Sequence, residues 1–504
     1  MSDTLSWKPP DYSDAGNAVV LVNEYHGLLA FCDALGWLSW AGTHWEPNDH
    51  DAVGRAVKLT ENMIIEAGID LTSSIQEKAA AEQAVAQQEE GAGERLEQAK
   101  AAVKRAGEYF NHAKKSRNLP RIKGMLELSK PTLHIAADRL DADPFALNTP
   151  AGIVDLQTGK ITPHDIDAPF KWNTRITNAS PGDQGAAVWT EFLQTITCGD
   201  DSLVGFLQQV AGMSAIGKVF YEGIVTANGG GRNGKSTFFN TIYGVLGTYA
   251  GTIDSNVLTT DRQNRGAALA TLRGKRLVIA AELEEHQRLS TSTLKKLAST
   301  DNLTIEEKYR SPEDIVPSHT LVLFTNHLPR VGSTDDGTWR RIIVVPFNAV
   351  IPEETGVQNM SDLLVEEAGP AVLSWIIQGA VDFTLNGFKL TFPDAVAMAT
   401  EEYRSRENWL ERFISERCIR EPNARVGARE LYTEYKTWAQ DTGEYTRRES
   451  DFAEAMDKAG YRKVKPKGKY HYAGLRLDFA SIYGNPCAVM RSCTNRGKSS
   501  IMRE

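Results

Sequence analysis

Eight consecutive residues, Gly229, Gly230, Gly231, Arg232, Asn233, Gly234, Lys235 and Ser236, fit the pattern G-x-x-x-x-G-K-[ST], whose chemistry is the holding of a nucleoside triphosphate. The flanks agree with it. Ile224-Val225-Thr226-Ala227 ahead of the glycines is β-prone, and Phe238, Phe239, Ile242, Val245 and Leu246 behind them recur at helical spacing. In a strand–loop–helix the glycines turn backbone N–H groups toward phosphate oxygens and the helix start adds its positive end. Lys235 then reaches the β- and γ-phosphates, and Ser236, with Thr237 beside it, can ligate Mg²⁺. ATP and Mg²⁺ are the expected cofactors.

Two apolar runs follow that read as buried parallel strands. Leu277-Val278-Ile279-Ala280-Ala281 ends at Glu282, with Glu284 and Glu285 close behind. A carboxylate at a strand's C-terminal end beside such a loop can join a Mg²⁺ shell or polarise an attacking water. Leu321-Val322-Leu323-Phe324-Thr325 ends at Asn326, whose amide can orient that water. Arg340 and Arg341 then precede the strand-like Ile342-Ile343-Val344-Val345, a place from which an arginine can stabilise a transferring phosphoryl group, in many ATPases that of a neighbouring subunit. Between the acidic run and Asn326 lie Lys295, Lys296 and a segment, 304–312, that closes on Ser311-Pro312 and reads as a hairpin. Its Lys308 and Arg310 suit phosphates and its Tyr309 suits stacking on a base, although Glu306 and Glu307 also fit an ordinary mixed-charge loop.

These groups need a scaffold of several domains, and 504 residues supply it. With 41% apolar and 24% charged residues the composition is that of a globular protein, and a net charge of −9 argues against a chain that coats DNA over its whole surface. No apolar run is long enough for a membrane helix, the N-terminus has no signal-peptide pattern, and the five cysteines show no C-x-x-C spacing; a cytoplasmic protein without a membrane partner is expected. Residues 1–182 read as an N-terminal, mainly helical α+β domain with a Trp37–Trp45 hairpin, a helical hairpin at about 76–115 and a second β-hairpin at 152–161. Residues 183–396 carry the glycine motif. Residues 397–480 read as helices followed by a basic hairpin with Lys463, Lys465 and Lys467, a winged-helix pattern, and 481–504 as a basic tail.

The order of glycine loop, Glu282, Lys295-Lys296, Asn326, Trp339-Arg340-Arg341 and a winged-helix tail resembles the C-terminal half of phage and plasmid primase-helicases, superfamily III helicases of the pox-virus type. The resemblance implies an α/β P-loop ATPase core of AAA+-like type, and a ring, hexameric in the family, that encloses one DNA strand and moves 3′ to 5′ with ATP between subunits. It gives Lys235 and Ser236 the Walker A roles, Glu282 the Walker B acid, Asn326 the sensor and Arg340 or Arg341 the arginine finger, and puts DNA contacts in 295–310. Where many relatives have two adjacent acids, Ala281 precedes Glu282 here, so Glu282, Glu284 and Glu285 share that candidacy. No N-terminal primase is expected, so priming would fall to a separate protein. The sequence also admits a loading or origin-binding ATPase, and a small-molecule kinase, though a kinase would not need the basic C-terminal hairpin.

Overall fold

The computed structural model describes residues 6–164, 172–259, 269, 271–281, 287–305, 313–331 and 336–478. The chain folds as two units, Met1–Pro181 with Leu246–Tyr249, and Gly182–Val245 with Ala250–Glu504.

In the first unit a three-stranded sheet, β1 (Leu29–Cys32), β2 (Gly36–Trp40) and β3 (Trp45–Pro47), is followed by two long antiparallel helices, Asp49–Ala86 and Ala92–Ser116, and a second small sheet of β4 (Ala146–Thr149), β5 (Gly152–Asp155) and β6 (Ile161–Thr162). Trp40 pairs with Trp45 across the β2–β3 turn, and Trp37 and Trp45 are buried. The first long helix starts at Asp49, well before residue 76. Ala52, Ala56, Leu59, Met63 and Ala67 form its buried stripe, while Ile65 and Ile69 stand exposed, so the helical period is blurred in the sequence. The second long helix is tied to helix Asp14–Glu24 by a polar cluster in which Asn17 Nδ2 donates to Ser116 Oγ at 2.9 Å and Asn17 Oδ1 lies 2.8 Å from His112 Nε2. Burial, its largest cause, holds the His112 imidazole below its ordinary range.

The second unit is built on a parallel five-stranded sheet of β7 (Ile224–Asn228), β8 (Ala250–Ile253), β9 (Leu277–Ala281), β12 (Thr320–Thr325) and β13 (Ile342–Pro346), in the spatial order β13-β7-β12-β9-β8. β7 and β12 are buried on both faces, as their near-continuous apolar runs require. Register fixes the edges. Ile224 pairs with both Ile342 and Leu321, and Asn228 with Pro346 and Thr325, so residues that follow β7 and β12 emerge together, while those that precede β13 lie at the opposite edge. Two short strands, β10 (Leu303–Ile305) and β11 (Glu313–Ile315), pair antiparallel; Lys308, Tyr309 and Arg310, which join them in sequence, lie outside the described residues.

After residue 407, helices Trp409–Arg417, Ala428–Asp441 and Glu449–Lys458 pack on a three-stranded antiparallel sheet of β14 (Cys418–Gly427), β15 (Lys463–Val464) and β16 (His471–Leu477), ordered β14-β16-β15. Trp409, Phe413, Tyr435, Trp438 and Phe452 fill the core between them. No helix among the described residues is long and apolar enough to cross a membrane.

His319, immediately before β12, is only 4% exposed, and burial drives its imidazole down to about 4 from an ordinary 6.5. The unfolded chain therefore binds a proton in a range where the folded chain does not. Its contribution is complete above pH 6.5 and is lost as pH falls toward 4, by about 2 kcal/mol between pH 7 and pH 5. In denaturant titrations the change in unfolding free energy between the two pH values should be larger for the wild type than for His319→Leu by that amount, and equal pH dependence would contradict it.

Candidate functional site

β7 ends at Asn228, and residues 229–234 form a loop before helix Lys235–Leu246 begins. Gly231, Arg232 and Gly234 take positive φ, 93°, 47° and 80°. Gly234 is required twice over, because a Cβ there would lie 2.2 Å from Ile196 Cγ2 as well as in strained backbone. Gly234→Ala is expected to cost about 1–3 kcal/mol through strain and that clash. Thermal unfolding reads the loss, and an unchanged midpoint would contradict the packing.

The loop is pinned from several sides. Asn233 Nδ2 donates to Phe347 O at 3.2 Å, Ile351 N donates to Arg232 O at 2.8 Å, and Arg232 Nη1 meets Glu353 at 2.9 Å. Lys235, 4% exposed, donates from Nζ to Asn326 Oδ1 at 2.6 Å and to Gly229 O at 3.2 Å. Asn228 Nδ2 in turn donates to the backbone oxygens of Thr325 and Asn326, each at 3.3 Å. Two adjacent parallel strands thus deliver an ammonium and an amide to one point at the end of the sheet.

Beside this point opens a cavity of about 750 Å³, within the range of small-molecule sites. Its floor is 232–237, with Ser236 exposed at the helix start; one wall is helix Ala186–Ile196, through Val188, Phe192 and Thr195, and the other is 351–360, through Ile351, Val357 and Met360. A helix N-terminus, a buried lysine and the hydroxyls of Ser236 and Thr237 suit an anion with several oxygens, and the apolar walls suit a flat ring attached to it. Sequence reading missed both walls. Trp189, Phe192, Leu193 and Ile196 do repeat at helical spacing, but 351–360 has no periodic pattern that would have marked it.

The structure does not bring the two arginines to the loop. Arg341 is 12% exposed on its side chain, paired with Glu222 at 2.6 Å and donating to Gly337 O at 2.7 Å, whereas Arg340 is exposed. Both precede β13, at the sheet edge away from the loop, so the five-residue length of β7 and β13, about 13 Å, separates them from it. Glu282, Glu284 and Glu285 follow β9 but lie outside the described residues. Lys296 is exposed and Lys295 half-buried on the last turn of helix Thr291–Leu297. Lys463 and Lys465 flank the exposed Tyr470 ring, 5.0 and 4.9 Å from its centroid, on the β15–β16 hairpin; Lys467 lies in the Pro466–Gly468 turn between the strands.

Fold and site define a mixed α/β protein with a helical N-terminal region and a glycine-rich loop at the C-terminal edge of a parallel five-stranded sheet. Residues 18–198 match the family described as D5 N terminal like, and 227–341 match a family of unknown function, DUF5906. A protein of Acanthamoeba polyphaga mimivirus named as a helicase, L207/L206, is 27% identical over 240 residues, 43% of this chain and 25% of that protein. The African swine fever virus protein C962R (isolate Warthog/Namibia/Wart80/1980), named as a primase, is 24% identical over 326 residues, 59% of this chain and 34% of its own length. A Frog virus 3 (isolate Goorha) protein named as a helicase, 022R, is 24% identical over 233 residues, 42% and 23% of the two chains. The chain thus spans about a quarter to a third of the length of the curated relatives it matches. Among solved structures, the apo C-terminal region of NrS-1 aligns with a TM-score of 0.37 at 12% identity, over 59% of this chain and 78% of that one. Together these matches support a viral primase-helicase family for the chain.

Proposed function

We propose that this chain is the ATP-hydrolysing motor of a replicative DNA helicase, an α/β P-loop ATPase of AAA+-like, superfamily III type that works as a ring, hexameric by family resemblance. The observation that carries the reading is the meeting of Lys235 Nζ and Asn326 Oδ1 at the mouth of the glycine loop. In this reading the ammonium shifts from the Asn326 amide to the β- and γ-phosphates, which frees that amide to orient water. The loop N–H groups hold the phosphates, and the walls at Phe192 and Val357 hold the base. Ser236 and Glu282 are the residues that would hold Mg²⁺, whose charge would offset that developing on the phosphoryl oxygens. The strand order β13-β7-β12-β9-β8 supports the core assignment, and the names of the viral relatives support the helicase one.

Arg340 is the finger candidate, because Arg341 is held by Glu222. At the sheet edge opposite its own loop, Arg340 would act on a neighbour's nucleotide, which is why a ring is part of the proposal. DNA would run against Lys308, Tyr309 and Arg310 between β10 and β11, with Lys295 and Lys296 near their base. The three helices and β15–β16 hairpin support a winged-helix unit whose Lys463, Lys465 and Lys467 meet backbone phosphates. The test is phosphate release from ATP by the purified chain with and without single-stranded DNA. Hydrolysis that rises with DNA is expected, and a chain that binds ATP but transfers its phosphoryl group to a small acceptor would contradict the proposal.

A further inference from the structure

The six residues that leave β12, 326–331, touch the candidate site at one end and the C-terminal helices at the other. At the front, Asn326 accepts from Lys235 and from Asn228. At the back, Arg330 Nη1 donates to Gly443 O at 3.1 Å, in the turn that follows helix Ala428–Asp441. Tyr403 donates its hydroxyl to Pro329 O, and Val331 N donates to Glu407 Oε2 at 2.9 Å, both partners lying on helix Asp394–Glu407, which leads into the C-terminal helices. On the flank, Arg330 N donates to Gln287 O at 3.0 Å and Leu289 N to Arg330 O at 2.9 Å, so the segment is bridged to the first described residues after β9 and the Glu282 region. Arg288, between those two bonds, lays its guanidinium 5.3 Å from the Tyr445 ring centroid.

The 443–447 turn is itself rigidly held. Tyr435 and Arg447 both donate to Tyr445 O, at 3.0 and 3.1 Å, and the Arg447 guanidinium sits 4.2 Å from the Trp409 ring centroid, in the middle of the three-helix core. A displacement of that core therefore pulls on Arg330 rather than being absorbed in the turn.

Resting on the ATPase reading above, we propose that Arg330 is a positioning residue that couples the C-terminal unit to hydrolysis. Through Gly443 it sets the exit of β12, and thereby the placement of Asn326 beside Lys235, according to what the C-terminal unit holds. Five backbone steps separate Asn326 from Val331, and the contacts behind it run to Tyr403, Glu407 and Gly443, with Gln287 and Leu289 on the flank, so the segment is anchored at both ends with little slack between them.

The experiment compares the full chain with Arg330→Ala and Arg330→Lys, following ATP turnover over a range of ATP concentrations with and without oligothymidylate, alongside oligothymidylate binding. For Arg330→Ala, kcat in the presence of DNA should fall about fivefold or more while KM for ATP moves less than about twofold and DNA binding holds; Arg330→Lys, which keeps one donor for Gly443 O, should restore part of it. Tyr445→Leu, an exposed position that removes the Arg288 contact from the other side, should lower DNA stimulation in the same direction. DNA stimulation equal to the wild type in both Arg330→Ala and Tyr445→Leu overturns the coupling alone. Loss of kcat, KM and melting temperature together, without rescue by lysine, makes the arginine merely structural and overturns it too. A wild-type chain that hydrolyses no ATP overturns the site reading and this inference with it.

Discussion

Lys235→Ala should lower ATP turnover by about 10²–10³-fold or more and leave the protein folded. Nζ reaches Asn326 Oδ1 and Gly229 O at the C-terminal edge of the sheet, and the residue contributes no apolar side chain to the sheet core. Its loss removes a buried positive charge at the place where phosphoryl charge would develop, and in a dry site that charge is worth far more than on the surface. The start of the helix is held independently by Phe238 N donating to Gly234 O at 2.8 Å, so circular dichroism and melting should stay close to wild type. Turnover that persists in a purified, folded variant would remove Lys235 from the chemistry.

The second large effect is expected at Arg340. If it completes the neighbouring subunit's site, Arg340→Ala should cost about 10³–10⁵-fold in turnover although its own loop is intact. Mixing supplies the decisive reading. In assemblies of Arg340→Ala with Lys235→Ala, one kind of interface joins an intact loop to an intact arginine, so some activity should return from two inactive parents. No recovery at any ratio, in assemblies shown to be mixed, would contradict action in trans. Arg341→Ala should behave differently, because it breaks the contact of a nearly buried guanidinium with Glu222, and its first symptom should be reduced stability.

How much of this could be read from sequence follows from how local each signal is. The glycine loop, β7 ahead of it and the helix behind it are contiguous, and Asn326 is marked by the apolar run of β12 that ends there. The 152–161 hairpin and the Trp40–Trp45 turn were legible for the same reason. What was not legible depends on distant partners. Arg340 and Arg341 are indistinguishable in sequence until Glu222, 119 residues earlier, claims one of them. Arg330 looks like any surface arginine until Gly443, 113 residues later, accepts from it. The cavity walls fail for a related reason, since residues 351–360 are irregular and owe their place to Arg232–Glu353 and to the bond from Ile351 N to Arg232 O. The helix from Asp49 was shortened in the reading because alanines carry much of its buried face.

The most direct measurement is strand separation on a forked duplex by the purified chain, with ATP and Mg²⁺ and, in parallel, with a non-hydrolysable ATP analogue. A ring motor separates the strands with ATP and leaves them paired with the analogue, and Lys235→Ala leaves them paired in both. Vigorous DNA-stimulated hydrolysis with no strand separation across salt and protein concentration would contradict the helicase assignment and point instead to an ATPase that loads or marks DNA.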